Sequence, residues 1–214
     1  MARLRALLPG LLLAYATGSA AAAAAERLEV AAFARGDLEH WEAKRFKGET
    51  QYRARDGGLC ADSKGAGSGL VREIHIDLTR TPVLHWSWRL ERALAPGDEQ
   101  SKPGDDYAAR VYVVFSGGPL FWRTRAINYV WSAAQPAGTI WPNAFTANAQ
   151  MVAAESGSAH AGEWVAERRD VRADFHRLFG ADAMQADAVA IMTDTDNGGG
   201  SAAACYGDIW FGSE

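Results

Sequence analysis

Several polar residues in this chain stand where chemistry is possible. Asp105 and Asp106 lie side by side just before an apolar stretch that begins with Arg110. Asp194, Asp196 and Asn197 follow another apolar stretch, and Asp208 interrupts the last one. Carboxylates and a guanidinium at strand ends suit two tasks. They can form an Asp–Arg network that fixes loops, or they can line a polar cleft that hydrogen-bonds a ligand. Asp194-Thr195-Asp196-Asn197-Gly198 also resembles the start of a calcium loop, in which alternate oxygens of Asp194, Asp196 and Asn197 converge on a hard cation. The match to a full helix–loop–helix calcium site is poor, because Cys205 stands where the closing Glu belongs. Asx-turn chemistry accounts for the same residues without an ion.

Tryptophan is the second feature. The eight are Trp41, Trp86, Trp88, Trp122, Trp131, Trp141, Trp164 and Trp210. An indole offers a flat apolar face with a negative quadrupole, which suits the axial C–H bonds of a sugar ring. Trp86 and Trp88 alternate with polar residues on one face of a strand, so they read as core. Trp122 and Trp141 sit among Gly, Pro and Arg in expected loops, where they either contact a ligand or anchor the loop. Trp131 ends an apolar strand beside them.

Signals for covalent chemistry are weak. Ser68 has Gly67 directly before it and so misses the nucleophile-elbow pattern. The Gly65–Gly69 stretch also misses the dinucleotide fingerprint, because Leu70 replaces the last glycine, and it reads as a turn. The five histidines lack metal-ligand spacing. Glycoside hydrolysis needs two carboxyl groups across a cleft. The aspartates above, or Glu155, Glu163 and Glu167, could supply them, and spacing along the chain does not choose.

The elements that must position these residues are strands. Leu84, Trp86, Trp88 and Leu90 alternate with His85, Ser87 and Arg89, the period-2 pattern of a half-buried strand. Ala109, Val111, Val113 and Phe115 form a second apolar face, with Arg110, Tyr112 and Val114 opposite. Similar runs are expected at 28–33, 51–55, 70–78, 126–131, 151–155, 164–171, 188–193 and 205–211. One short helix is expected from Ala173 to Phe179, closed by Gly180. Many short strands without alternating helices predict an all-β fold, an antiparallel β-sandwich of jelly-roll type, with a closed barrel as the alternative. Its longest loops are expected at 95–106, 116–125, 133–143 and 194–203.

The first 25 residues carry Arg3 and Arg5, an apolar run to about Tyr15 and an Ala-rich stretch. That order is a cleavable secretory signal, too short in its apolar part to span a bilayer. Removing 25 of the 214 residues leaves a single domain of 189, expected in the periplasm or outside the cell with no membrane span. Losing the two arginines moves the formal charge from −4 to −6. An acidic chain without a basic run excludes nucleic acid as a partner. Cys60 and Cys205 could pair in an oxidising compartment, for about 4 kcal/mol, or stay as separate buried thiols.

Several motifs, in order, resemble the bacterial family named domain of unknown function 3047. They include Val83-Leu84-His85-Trp86-Ser87-Trp88-Arg89, the run Gly104 to Phe115, Asn128-Tyr129-Val130-Trp131, Gly162-Glu163-Trp164, Arg169-Asp170-Val171, Asp174-Phe175, Ile191 to Asn197, and Tyr206 to Phe211. The resemblance spans about Phe33 to Phe211 and implies that Asp105, Asp106, Arg110, Arg169, Asp174, Asp194, Asp196, Asn197 and Asp208 belong to the shared pattern. The two cysteines do not. It implies no activity.

The expected function is binding of a glycan or similar polar envelope ligand without catalysis. Trp122, Trp131 and Trp141 would stack on the ligand, while Asp105, Asp106, Arg110, Asp196, Asn197 and Asp208 would hydrogen-bond it. A hydrolase or lyase acting on polysaccharide in the same groove is the second expectation. A structural or protein-binding envelope domain is the third.

Overall fold

The computed structural model describes residues 26–214; the expected signal segment lies outside them. In chain order the strands are β1 (Arg27–Ala31), β2 (Glu42–Lys47), β3 (Gln51–Arg55), β4 (Gly58–Lys64), β5 (Gly67–Asp77), β6 (Val83–Arg92) and β7 (Arg110–Phe115). Then come β8 (Arg125–Ser132), β9 (Ile140–Pro142), β10 (Ala149–Ser156) and β11 (Val165–Asp170). After helix α1 (Val171–Phe179) follow β12 (Gln185–Asp194), β13 (Ser201–Tyr206) and β14 (Ile209–Gly212). The expected all-β sandwich is what forms. One seven-stranded sheet runs β1-β14-β6-β13-β4-β3, with β11 also paired to β6. The other runs β2-β5-β12-β7-β8-β10-β9.

Alternation decides what each face does. Leu84, Trp86, Trp88 and Leu90 of β6 are buried against Val111, Val113, Ile127, Tyr129, Val189 and Ile191 of the second sheet. The Trp86 and Trp88 rings meet edge to face at 5.3 Å, a favourable aromatic geometry. α1 closes one end of the core with Val171 and Phe175. Asp170 caps its start, accepting from the Ala173 amide at 2.9 Å, and Gly180 ends it in the left-handed conformation at φ 63°.

Cys60 and Cys205 are direct partners across the β4–β13 pair and form a disulfide. One departure from the expected pairing is the parallel alignment of β10 with β8. Between them the chain makes the short edge strand β9, antiparallel to β10, and this excursion turns β10 into the same direction as β8. The Gly65–Gly69 stretch is a turn only at its start, since Gly67 and Gly69 already belong to β5. The last expected strand is two, broken at Gly207-Asp208. Among the described residues no helix is long and apolar enough to cross a membrane.

Candidate functional site

The register of the second sheet sets Arg110, Tyr112 and Asn128 among apolar residues on its outer side. Met192, Arg110, Val130 and Ala153 lie opposite one another in one row. Ala190, Tyr112, Asn128 and Met151 form the next. These are the residues left over when β7, β8, β10 and β12 send their other side chains into the core. Loops raise walls around them and leave a groove of about 490 Å³. Phe46 of β2 stands on one rim and Phe145, after β9, on the other; they are 67% and 55% exposed. Lys102 lies over the Phe145 ring, 5.4 Å from its centroid.

At one end of the groove Arg110 and Asp194 form a buried ion pair. Arg110 donates through Nε to Asp194 Oδ1 at 2.8 Å and through Nη2 to Asp194 Oδ2 and to the Asp105 carbonyl. Its guanidinium also packs on Tyr107, 4.3 Å from the ring centroid. Burial pushes the Asp194 carboxyl up to about 7, against the pull of Arg110. Burial also raises Asp105, again opposed by Arg110. Both Asp105 oxygens accept from Asn143 Nδ2, at 3.1 and 3.2 Å.

Asp106 is a loop clamp. It accepts from the Asn197 and Gly198 amides at 3.0 and 2.7 Å and from Asn197 Nδ2 at 3.2 Å. These bonds hold the 194–198 segment over the groove. Asp196 is half-exposed at the groove wall, with Lys47 Nζ on its carbonyl at 2.6 Å. A side chain at Gly67 would meet the Asp196 carboxylate and displace it, so the glycine leaves that carboxylate its place in the wall. The oxygens of Asp106, Asp194 and Asp196 lie within 4.8 Å of one another. Two of the three expected calcium ligands, Asp194 and Asp196, therefore lie together with Asp106, while the side-chain nitrogen of Asn197 donates to Asp106 and to the Asp105 carbonyl.

Thus Asp105, Arg110, Asp196 and Asn197 meet in the groove, with Asp106 just behind them. The other expected residues do not join them. Trp131 is 2% exposed and packs inward, 5.7 Å from Trp88, with its Nε1 donating to the Gly157 carbonyl. It shares strand parity with Ile127 and Tyr129, so it is core. Trp141 is also buried, because its segment is strand β9 rather than open loop; it supports Tyr107 beside Val130, Met151 and Ala153. Neither can stack on a ligand as arranged. Trp122 is 58% exposed but lies in a neighbouring hollow with Arg123, Arg125 and Asn148. Asn148 Nδ2 donates to the Trp122 carbonyl at 2.8 Å, and Ala149 next to it lines the groove. Asp208 belongs to the other sheet, where its carboxylate caps the Ala34 amide at 2.9 Å.

Sequence reasoning missed Phe46, Phe145, Asn128, Asn143 and Met192. For Asn128 the signal was present, since it alternates with Ile127 and Tyr129 and must face away from the core. Phe46 sits in a wholly exposed, charged strand and carries no such pattern.

Comparison with known proteins adds three solved structures similar in fold. The family 11 carbohydrate-binding module from Clostridium thermocellum, in complex with a β-1,3-1,4-mixed-linked tetrasaccharide, is 9% identical, with a TM-score of 0.44 over 89% of this chain and 96% of that one. The carbohydrate recognition domain of Emp47p is 9% identical, with a TM-score of 0.49 over 87% and 95%. A thermostable cellulase derived from Cel12A of Rhodothermus marinus is 12% identical, with a TM-score of 0.46 over 86% and 99%. No curated protein matches the sequence. The model of the family described as protein of unknown function, DUF3047, matches residues 39–210, and the chain belongs to that family.

Proposed function

We propose that this chain is an exported domain that binds a glycan without catalysis, in the periplasm or outside the cell. The observation that carries the reading is the groove on the outer face of the second sheet. Two exposed phenylalanine rings, Phe46 and Phe145, stand over a floor that mixes thioether, phenol, amide and carboxylate groups. Aromatic rims with a few convergent polar groups suit a ligand that has apolar C–H faces and polar edges, as sugars do. The groove belongs to a rigid sheet, so it is organised before the ligand arrives. Trp122 extends the aromatic surface beyond one end.

Hydrolysis is the second reading, favoured by the raised acid Asp194. Yet Asp194 is 1% exposed and both its oxygens are held by Arg110, so it cannot reach a glycosidic oxygen as arranged. The test is affinity electrophoresis of the cleaved protein and its F46A/F145A variant in gels containing soluble polysaccharides, with product release followed in parallel. Retardation lost in the variant, by roughly tenfold in affinity per ring, supports the reading. Equal retardation of both proteins removes the groove from it, and product release would replace binding with turnover.

A further inference from the structure

The hydrogen-bonding capacity of the groove is lopsided. Most of its donors are spent inside the protein, the exceptions being the Thr146 hydroxyl, which only accepts from the Asn148 amide, and Arg110 Nη1, which has a single long contact to Asp105. Arg110 gives Nε and Nη2 to Asp194 and the Asp105 carbonyl. Asn143 gives Nδ2 to Asp105, Asn197 gives its own to Asp106 and the Asp105 carbonyl, and Asn128 turns Nδ2 toward Met151 Sδ at 3.1 Å. The acceptors are not spent. Among the described residues no group donates to the Asp196 carboxylate, and Asp105 takes only the Asn143 amide and a long contact from Arg110 at 3.6 Å. Asn128 is 2% exposed in the floor and its Oδ1 has no partner. Three carboxylates against one guanidinium line the groove, while Lys47 and Lys102 stand at its edges, engaged with the Asp196 carbonyl and the Phe145 ring.

A ligand completing such a site must bring donors. A carboxylate, sulfate or phosphate brings only acceptors, and it would also bring negative charge against Asp105 and Asp196. Building on the glycan reading above, we infer that the groove selects uncharged, hydroxyl-donating glycans and rejects anionic ones. Discrimination of this kind comes from repulsion as much as from attraction. Like charges brought together across an interface are costly, so the rejected class should bind at least about tenfold more weakly.

The experiment is calorimetry on the cleaved chain at low salt, with three probes of similar length: a neutral β-glucan oligosaccharide, an oligogalacturonate and a chitosan oligomer. The neutral glucan should bind and the oligogalacturonate should not. D196N, a change at a half-exposed position, should then narrow the gap by weakening the first and admitting the second. D105N serves as a second variant if the first does not fold. Oligogalacturonate binding as tightly as the glucan overturns this inference and leaves the glycan reading standing. Chitosan binding above the glucan also overturns it, since the acceptors would then be reading an ammonium. Binding of none of the three removes the glycan reading, and this inference with it.

Discussion

Replacing Arg110 by Met isolates what the buried ion pair contributes. Met fills much of the arginine stem but offers Asp194 no charge and no donor. Asp194 would keep only the Tyr107 amide, which reaches its Oδ1 at 3.3 Å. Breaking one partner out of a buried pair costs about 3–5 kcal/mol, because an uncompensated charge stays behind. For a chain of this size that is a fall of about 6–20 °C in the unfolding midpoint. The loss should be smaller at acid pH. Asp194 already has a folded pKa of about 7, above its ordinary value of 3.8. An acid raised in this way favours folding below its unfolded pKa and loses that contribution as pH rises through the folded one. The lone Asp194 of R110M is raised further still, so the variant should lose less at pH 5 than at pH 8. In R110M/D194N the buried charge is gone while the Asn oxygen still serves the Tyr107 amide, and most of the stability should return. Urea unfolding followed by circular dichroism, on the four proteins of the cycle at both pH values, measures all of this. An R110M chain within about 1 kcal/mol of the wild type would refute the buried pair and the site built around it.

Three further outcomes are expected. Cys60→Ala with Cys205→Ala opens a closure spanning 145 residues, worth up to about 5 kcal/mol in the chain-entropy treatment, and should lower the urea midpoint markedly; an unchanged midpoint would contradict the bridge. Glu167, half-buried with Trp88 Nε1 on its Oε1 at 3.3 Å, is pushed up to about 7 by burial and then by Glu155. Its contribution to folding is present below its ordinary 4.5 and lost as pH rises through 7, so E167Q should raise the thermal midpoint at pH 8 and leave it nearly unchanged at pH 4.5. Calcium should leave the thermal midpoint where it is, because Arg110 already neutralises Asp194 and Asp106 is taken by amides; a saturable rise, reversed by chelator, would establish the cation site on Asp106, Asp194 and Asp196.

Strand parity carried most of what the sequence made legible. Alternation in β6 and β7 separated core from outer face correctly and placed Arg110 and Tyr112 on the outside. The same parity, applied to β8, sends Trp131 inward with Tyr129, although the sequence reading grouped it with Trp122 and Trp141 as a stacking ring. Trp141 misled for a different reason. Three strand residues at a sheet edge, ending in Pro142, leave too short a pattern to distinguish from loop. β2 is exposed along its whole length, so no burial pattern marks it, and Phe46 on it could not be foreseen as a rim residue. Which strands become neighbours is set by long-range pairing, so nothing local to Asp208 shows that it joins the opposite sheet from Asp105 and Asp196.

The outer face of the first sheet offers a rival surface, a hollow of about 470 Å³ near Ser87, Trp164 and Gly207. There the Trp210 ring is occupied by His85, stacked at 3.6 Å, and by Arg27 at 4.4 Å. Amide chemical-shift mapping of the labelled protein during titration with a neutral oligosaccharide separates the two faces directly. A glycan seated in the groove should concentrate the shifts at Phe46, Tyr112, Asn128, Phe145 and Asp196. Shifts concentrated instead at Ser87, Trp164 and Gly207 would contradict that placement.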